Sequence, residues 1–262
     1  LSDPDMDAAS AIFEELEFRR IQESFKRIFT LSDESSPTKT PASPPSTPAT
    51  NLQFDLFNPL PGQGNTLTES SKNNQQSVNH QYQWIDSPAG RSLLLEKLLK
   101  QNSVCFDTET TGLDALQAEL VGIAFCWEEQ KGYYLALPNE REETQTIIDS
   151  FRPFFENPKI EKIGHNLKYD LKVLLKYNLK VVGPYYDTMI AHYVINPDMR
   201  HNMNILAETY LNYSTQSITE LIGKKGKNQG NMRDVPLDQQ TQYAVEDADI
   251  TFQLKKYFEK EL

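Results

Sequence analysis

Residues 103–110 read Ser-Val-Cys-Phe-Asp-Thr-Glu-Thr, and Thr-Gly follows at 111–112. β-Forming residues that end in a turn signal predict a buried strand. Side chains alternate along a strand, so Asp107 and Glu109 point to the same side. A carboxylate placed directly after an apolar run is costly to bury without a partner. The segment therefore predicts a central strand that ends in two acids in need of a counter-charge.

Two helical segments carry further acids. The segment 166–177 has one apolar stripe and holds Asp170 one turn after its start. The segment 237–259 holds Tyr243 and Asp247, which are four residues apart and share a helix face. Each pattern alone is typical of exposed strand ends and helix surfaces. Four acids in one cleft would repel one another unless cations lay between them, and Mg²⁺ or Mn²⁺ suits a set of oxygen ligands.

Strings in these segments resemble the three exonuclease motifs of bacterial DNA polymerase I, a family of four-carboxylate exonucleases with a tyrosine in the third motif. They are Cys-Phe-Asp-Thr-Glu-Thr (105–110), Gly-His-Asn-Leu-Lys-Tyr-Asp (164–170) and Tyr-Ala-Val-Glu-Asp-Ala-Asp (243–249). The intervening strings Tyr-Asp-Thr-Met (186–189) and Gly-Lys-Lys-Gly-Lys-Asn-Gln (223–229) are similar as well. All four acids and the tyrosine of the family's motifs are present.

The resemblance covers about residues 80–262 and implies an α/β fold of the ribonuclease-H-like kind, a mixed β-sheet flanked by helices. The residue patterns are compatible with it, and the first three strands should form an antiparallel meander. Predicted strands lie at 103–108, 118–126, 131–137, 160–164 and near 180–186, and predicted helices lie at 141–155, 166–177, 188–195, 202–211 and 237–259. Residues 214–233, where Gly and Lys crowd together, give no clear element.

The resemblance implies a two-metal-ion 3′-5′ exonuclease that releases nucleoside monophosphates from DNA for proofreading. The resemblance also implies that Asp107 bridges two divalent cations, Mg²⁺ or Mn²⁺. Glu109 and Asp247 would complete the site of the first ion, and Asp170 would support the second. Two ions about 4 Å apart can activate water and stabilise the leaving 3′ oxygen. Tyr243 orients the water, since a phenol with a pKa near ~10 is a poor base at neutral pH.

Further residues are implied to contact the substrate, a single-stranded or frayed 3′ end. They are Thr110, Leu113, Asn166, Tyr169, Arg200, Ile218, Lys225 and Lys227. Leu113 is expected to wedge against the terminal base, and Ile218 departs from the aromatic residue that relatives often have there. Because a mismatched end melts readily, selectivity can come from the availability of single strand rather than from base reading.

The N-terminal third differs in composition. Residues 31–79 are rich in Pro, Ser, Thr, Asn and Gln and predict a disordered linker. For residues 1–30 we predict a short helical stretch that resembles the tail of a 5′-nuclease domain, and we expect residues 80–262 to form the exonuclease domain. Because the sequence begins with Leu1 and contains no polymerase palm, we expect a fragment of a longer enzyme whose polymerase and 5′-nuclease domains are partners of this one.

A short motif lies within the predicted linker. Residues 53–57, Gln-Phe-Asp-Leu-Phe, resemble the peptide by which bacterial proteins dock on the sliding clamp, with Gln53, Leu56 and Phe57 as the anchors. A flexible tether with two adjacent apolar anchors suits recognition in a groove. The alternative is a chance apolar cluster, because five-residue patterns occur often.

The net charge of −11 argues mildly against a nucleic-acid binder. Residues 80–262 carry 26 acidic and 20 basic side chains, but four of the acids are the proposed ligands. An enzyme that holds a few nucleotides needs no broad basic face.

Cys105 and Cys126 lie on predicted strands and are expected to be buried thiols in a reducing compartment. Without a signal peptide or transmembrane run, the expected location is cytoplasmic and nucleoid-associated, with no membrane partner.

Two alternatives stay open. An exoribonuclease of the same tyrosine class could use identical acids, and digestion of DNA and RNA single strands would separate the two. The other is a catalytically silent scaffold with a clamp-docking linker, which would hold polymerase and nuclease domains in relation to each other. A metal titration without binding would favour it.

Overall fold

The computed structural model describes residues 6–15, 72–224, 226 and 229–262. The chain divides into two units, residues 1–66 and 67–262. In the first unit the described part is helix α1 (Met6–Glu15), which falls within the predicted helical tail. The proposed clamp anchors Gln53, Leu56 and Phe57 lie outside the described residues, as does most of the predicted linker. Among the residues described, no helix is both long and apolar enough to cross a bilayer.

The second unit is built on a six-stranded mixed sheet with helices on both faces. The strands are β1 (Gln81–Ile85), β2 (Ser103–Thr110), β3 (Leu120–Glu128), β4 (Lys131–Ala136), β5 (Glu161–Gly164) and β6 (Tyr185–Asp187). The helices are α2 (Pro88–Leu98), α3 (Arg141–Ser150), α4 (Arg152–Phe155), α5 (Leu167–Leu175), α6 (Thr188–Ile195), α7 (Met203–Leu211), α8 (Ile218–Ile222) and α9 (Leu237–Phe258), with a 3₁₀ turn at Met232–Asp234. The strand order is β1-β4-β3-β2-β5-β6.

The predicted fold class is confirmed. Strands β2, β3 and β4 form the predicted antiparallel meander, while β5 pairs parallel to β2 and β6 parallel to β5. The sequence did not predict strand β1 or helix α2. Strand β1 has only five residues and lies at the sheet edge, parallel to β4, so its alternation of Gln, Tyr, Gln and Trp is too short to be a clear signal. The single helix predicted at 141–155 is two helices, which are separated at Phe151.

The two faces of β2 pack against different helices, and this determines where the site forms. On one face, Phe106 packs edge-on against Phe155 at 5.3 Å between ring centroids, in a core that also includes α5 residues such as Leu174. On the other face, Cys105 packs with Ala244 and other small residues of α9. Both predicted thiols, Cys105 and Cys126, are buried and free.

Residues 72–79 contact the sheet unit. Asn73 pairs with Tyr213 in an isolated β-bridge, and the Lys72 ammonium lies 2.7 Å from the Glu208 carboxylate. The predicted domain boundaries at 30 and 79 stay predictions.

Gly122 is the residue of β3 that pairs with Glu109. A Cβ at this position would lie 2.2 Å from the ring end of Tyr134, whose hydroxyl donates to the side chain of Gln240 at 2.9 Å. We therefore expect Gly122→Ala to lower the free energy of unfolding by about 1–3 kcal/mol, because Tyr134 has no room to yield. Urea unfolding measures this change, and Gly112→Ala is the control, since nothing lies within 4 Å of that Cβ. Equal destabilisation by both substitutions would contradict the prediction.

Candidate active site

Three acids meet where β2 ends beside helix α9. One carboxylate oxygen from each of Asp107, Glu109 and Asp247 lies within 4.8 Å of the others, and we call these three residues the acid cluster. Glu109 and Asp247 are each 8% exposed, and Asp107 is half-buried. Asp107 and Glu109 share the α9 side of the strand, as the two-residue period predicts. The cluster therefore combines a strand end with one helix face.

Asp170 reaches the same region from the other side of the sheet. It is carried by α5, is 3% exposed, and its Oδ1 accepts hydrogen bonds from the backbone N–H of Thr108 at 3.1 Å and from the Thr108 hydroxyl at 2.5 Å. The Asp170 charge also helps to raise the pKa of Asp107. Thr108, which sequence reasoning did not single out, is thus the residue that anchors Asp170 beside the acid cluster.

The start of α5 is fixed by an aspartate from β6. Asn166 occupies the N-cap position with a left-handed backbone (φ 64°, ψ 44°), but its side chain does not cap the helix. Instead, the Asp187 carboxylate accepts hydrogen bonds from the backbone N–H groups of Asn166 at 3.1 Å and Leu167 at 2.9 Å. It also accepts from the N–H of Met189 at 2.9 Å, so one carboxylate caps two helices. Asp170 lies one turn beyond this anchor.

Burial makes the four acids difficult to ionise. It raises the pKa of Glu109 and of Asp247 to about 8 and that of Asp170 to about 7. The pKa of Asp107 is raised as well, first by burial and then by the charges of Asp170, Glu109 and Asp247. None of the ion pairs formed by the described residues involves these acids. A buried set of oxygen donors without a basic partner fits a divalent cation.

Tyr243 lies next to this cluster on α9. Its side chain is half-buried and lies close enough to Asp247 for the charge of that residue to act on the hydroxyl. Burial, followed by the charge of Asp247, raises the pKa of the Tyr243 hydroxyl well above its usual range. The hydroxyl is therefore a proton donor for hydrogen bonds at neutral pH and not a base.

The acid cluster opens into a cleft of about 490 Å³. The cleft is lined by Thr110, Leu113, Tyr169, Ile218 and Tyr243, together with residues that sequence reasoning missed, which are Thr108, Thr111, Gly112, Thr219, Ile222, Gln229, Gly230, Asn231 and Met232. The Tyr169 hydroxyl lies 2.6 Å from the Thr110 hydroxyl and donates to the Gly112 carbonyl at 2.5 Å. These bonds tie the loop after β2 to α5 and leave Leu113 projecting, 85% exposed.

The remaining predicted contacts lie elsewhere. Asn166 lines a groove that adjoins the cleft. Arg200 is exposed in the connection between α6 and α7 and does not line the cleft. Lys225 and Lys227 lie outside the described residues. Three of the missed cleft residues, Thr108, Thr111 and Gly112, lie at the end of β2 or just after it. The other six come from 218–232, where the elements are a five-residue helix and a three-residue 3₁₀ turn, too short to show a period in sequence.

A family model for 3′-5′ exonucleases matches residues 82–262. The chain belongs to this 3′-5′ exonuclease family. It is 37% identical over 188 residues to the DNA polymerase I of Borreliella burgdorferi, a match that covers 70% of this chain and 20% of that protein. The resemblance to the exonuclease of bacterial DNA polymerase I is thus confirmed, and so is the assignment to a family of hydrolytic nucleases. The chain spans about a fifth of the length of this curated relative.

Solved structures show the same fold at low sequence identity. Escherichia coli RNase D, described as an exoribonuclease, superposes with a TM-score of 0.55 at 17% identity, over 69% of this chain and 44% of that one. Brucella melitensis NrnC with bound Mg²⁺ superposes with a TM-score of 0.54 at 19% identity, over 71% of this chain and 82% of that one. These matches establish the ribonuclease-H-like fold of the exonuclease domain.

Proposed function

We propose that residues 80–262 are a proofreading exonuclease domain that hydrolyses phosphodiesters at the 3′ end of DNA, within a polymerase of the DNA polymerase I type. The observation that carries the proposal is the convergence of the acid cluster, with Asp170 beside it, on a cleft of about 490 Å³. A cleft of this size suits a few nucleotides of single strand, and the family membership supplies the reaction class.

The donor set fits two divalent cations, Mg²⁺ or Mn²⁺. Asp107, Glu109 and Asp247 would hold one, and Asp170 with Asp107 would hold the second. When bound, such ions neutralise charge at phosphorus, lower the pKa of the attacking water and stabilise the leaving 3′ oxygen. The Mg²⁺ bound to NrnC, on the same fold, supports this choice.

The chain's own side chains then position the substrate. The Tyr243 hydroxyl, protonated at neutral pH, donates a hydrogen bond that orients the attacking water. Leu113 projects into the cleft and packs against the terminal base, while Ile218, Ile222 and Met232 supply an apolar wall for it. Thr110 and Tyr169 hold the loop that carries Leu113.

Residues outside the cleft would also contact the DNA. Asn166 would contact the DNA strand from the adjoining groove, and Arg200, Lys225 and Lys227 would contact the DNA backbone. The polymerase and 5′-nuclease domains of a longer chain would be partners in cis, with a cytoplasmic, nucleoid-associated location. Clamp docking through Gln53, Leu56 and Phe57 stays a prediction.

Digestion of a 3′-labelled duplex tests the function. With Mg²⁺, we expect a mismatched 3′ end to lose its terminal nucleotide about tenfold faster than a matched end, since each ~1.4 kcal/mol of easier melting gives a factor of ten. With EDTA in place of Mg²⁺, release should stop. Absence of nucleotide release in Mg²⁺ would refute the proposed function and favour the silent scaffold, especially if a Mg²⁺ titration also showed no binding.

An exoribonuclease is the second candidate, because RNase D shares the fold. Parallel digestion of single-stranded DNA and RNA of one sequence separates the two. The relationship to DNA polymerase I favours DNA, and faster cleavage of the RNA would reverse the assignment.

A further inference from the structure

Helix α9 carries a second polar stripe next to the one that holds Tyr243 and Asp247. Gln242, Glu246 and Asp249 follow one another at intervals of four and three residues, so they share one side of the helix. With 3.6 residues per turn, this side is rotated by about 100° from the side that faces the acid cluster. None of these three residues lines the active-site cleft. The second stripe therefore contacts other parts of the domain.

The two acids of this stripe are buried and accept hydrogen bonds from neutral donors. The Glu246 carboxylate accepts from the Tyr213 hydroxyl at 2.7 Å and from the backbone N–H of Gln216 at 2.7 Å. The Asp249 carboxylate accepts from the Tyr82 hydroxyl at 2.7 Å. Because a buried carboxylate is costly to leave without donors, these bonds fix the middle of α9 against its neighbours.

Near its start, the same stripe is held by residues 72–80, which we call the strap. The Gln75 side-chain amide donates to the Gln242 carbonyl at 2.8 Å. The His80 Nε2 lies 2.8 Å from the side-chain oxygen of Gln242. Gln242 directly precedes Tyr243, and α9 begins without a side-chain cap of its own. The strap thus holds the helix turn that carries the Tyr243 hydroxyl.

Both ends of the strap are anchored to the domain. The backbone N–H of Asn73 donates to the Asn212 carbonyl at 3.0 Å, and the Asn73 carbonyl accepts from the N–H of Ser214 at 2.8 Å. At the other end, the His80 ring packs against the Tyr82 ring at 4.4 Å between centroids. The strap therefore runs from the end of α7 to the start of β1 and touches α9 between them. It precedes residue 82, where the match to the exonuclease family model begins.

We propose that the strap positions Tyr243: by holding Gln242, it fixes the helix turn that directs the Tyr243 hydroxyl toward the attacking water. Gln75 and His80 are positioning residues, because they act through α9 and do not line the cleft. A group that orients a reactant must stay within about 0.5 Å of its productive place, so bonds to the neighbouring residue affect the rate. The inference rests on the proposed function, which gives Tyr243 its role, and adds the residues that hold it.

Two adjacent glutamines provide a matched test. Gln75→Ala removes the bond to Gln242, whereas Gln76→Ala makes the same change at an exposed side chain that forms no hydrogen bond with another described residue. We expect Gln75→Ala and His80→Ala together, the double strap variant, to lower kcat on a 3′-labelled single strand about threefold to tenfold with KM unchanged. Gln76→Ala should leave kcat unchanged. His80→Gln in place of His80→Ala should recover part of the loss, because its amide can reach Gln242.

The Tyr243→Phe background distinguishes positioning from a general structural role. If the strap acts through the Tyr243 hydroxyl, the double strap variant should lower kcat no further once that hydroxyl is absent. An equal loss of kcat with and without the hydroxyl would overturn the proposal. A change confined to KM, or no change in kcat at all, would overturn it as well.

NMR of the protein with isotope-labelled tyrosine rings tests the strap without any cleavage. The Tyr243 resonance is identified by its absence in Tyr243→Phe. It should shift or broaden in the double strap variant and stay unchanged in Gln76→Ala. A resonance that does not respond to the double strap variant would overturn the proposal. A resonance that responds, in a protein that never cleaves DNA, would overturn only the nuclease function.

Discussion

Replacing Asp107 with alanine is expected to lower the release of 3′ nucleotides by about 10³-fold or more, since removal of one electrostatic group from an active site already costs on the order of 10²–10³. Asp107 lies at the centre of the site: its carboxylate is within 4.8 Å of those of Glu109 and Asp247, and the Asp170 charge acts on it most strongly. Its loss removes a ligand that both cation sites would share. The measurement is kcat on a 3′-labelled single strand at saturating Mg²⁺.

Folding must be checked alongside activity. The Asp107 carboxyl has a pKa raised by burial, so its removal should leave the thermal stability of the metal-free protein unchanged or higher. The matched control is Asp198→Ala, at an exposed aspartate in the connection between α6 and α7, which should retain full activity. If Asp107→Ala kept cleavage within tenfold of the unsubstituted protein, the acid cluster would not be the catalytic centre.

The central part of the fold and site follows from local sequence. The two-residue period of β2 correctly placed Asp107 and Glu109 on one face, and the four-residue spacing placed Tyr243 and Asp247 on one helix face. Both inferences depend only on the regular geometry of a strand and a helix, which side-chain spacing encodes directly. The motifs therefore indicated the acids before any tertiary contact was known.

The contacts that hold Asp170 in place cannot be predicted from local side-chain spacing. Asp170 comes from the face of the sheet opposite to the acid cluster, and it is held by Thr108, a residue that the strand period places away from Asp107. Its helix starts at a cap supplied by Asp187, which is distant in sequence. Such contacts join separate elements, so no local period reports them. The same holds for Met232, whose place in the cleft wall depends on how a short turn packs.

Removal of divalent cations is expected to destabilise the protein more at pH 8 than at pH 5. Burial raises the pKa of Glu109 and Asp247 to about 8 and that of Asp170 to about 7, while the unfolded chain has carboxyl pKa values of about 4. The folded state therefore binds protons more tightly than the unfolded state. These groups contribute their full stability below about pH 4, and that contribution is lost as the pH rises to about 8.

Divalent cations reverse this loss because they bind the ionised carboxylates. At a Mg²⁺ concentration of about 100 Kd, binding stabilises the folded state by about 2.7 kcal/mol, which raises Tm by about 5–10 °C in a domain of this size. Thermal unfolding in Mg²⁺ and in EDTA should show this gap at pH 8 and a much smaller gap at pH 5, where protons compete for the same oxygens. Glu109→Gln is the matched control: it removes one buried charge at nearly constant volume, so its stability in EDTA should depend less on pH and its Mg²⁺ gap should shrink. An equal Mg²⁺ gap at both pH values would show that the ions bind away from the buried acids.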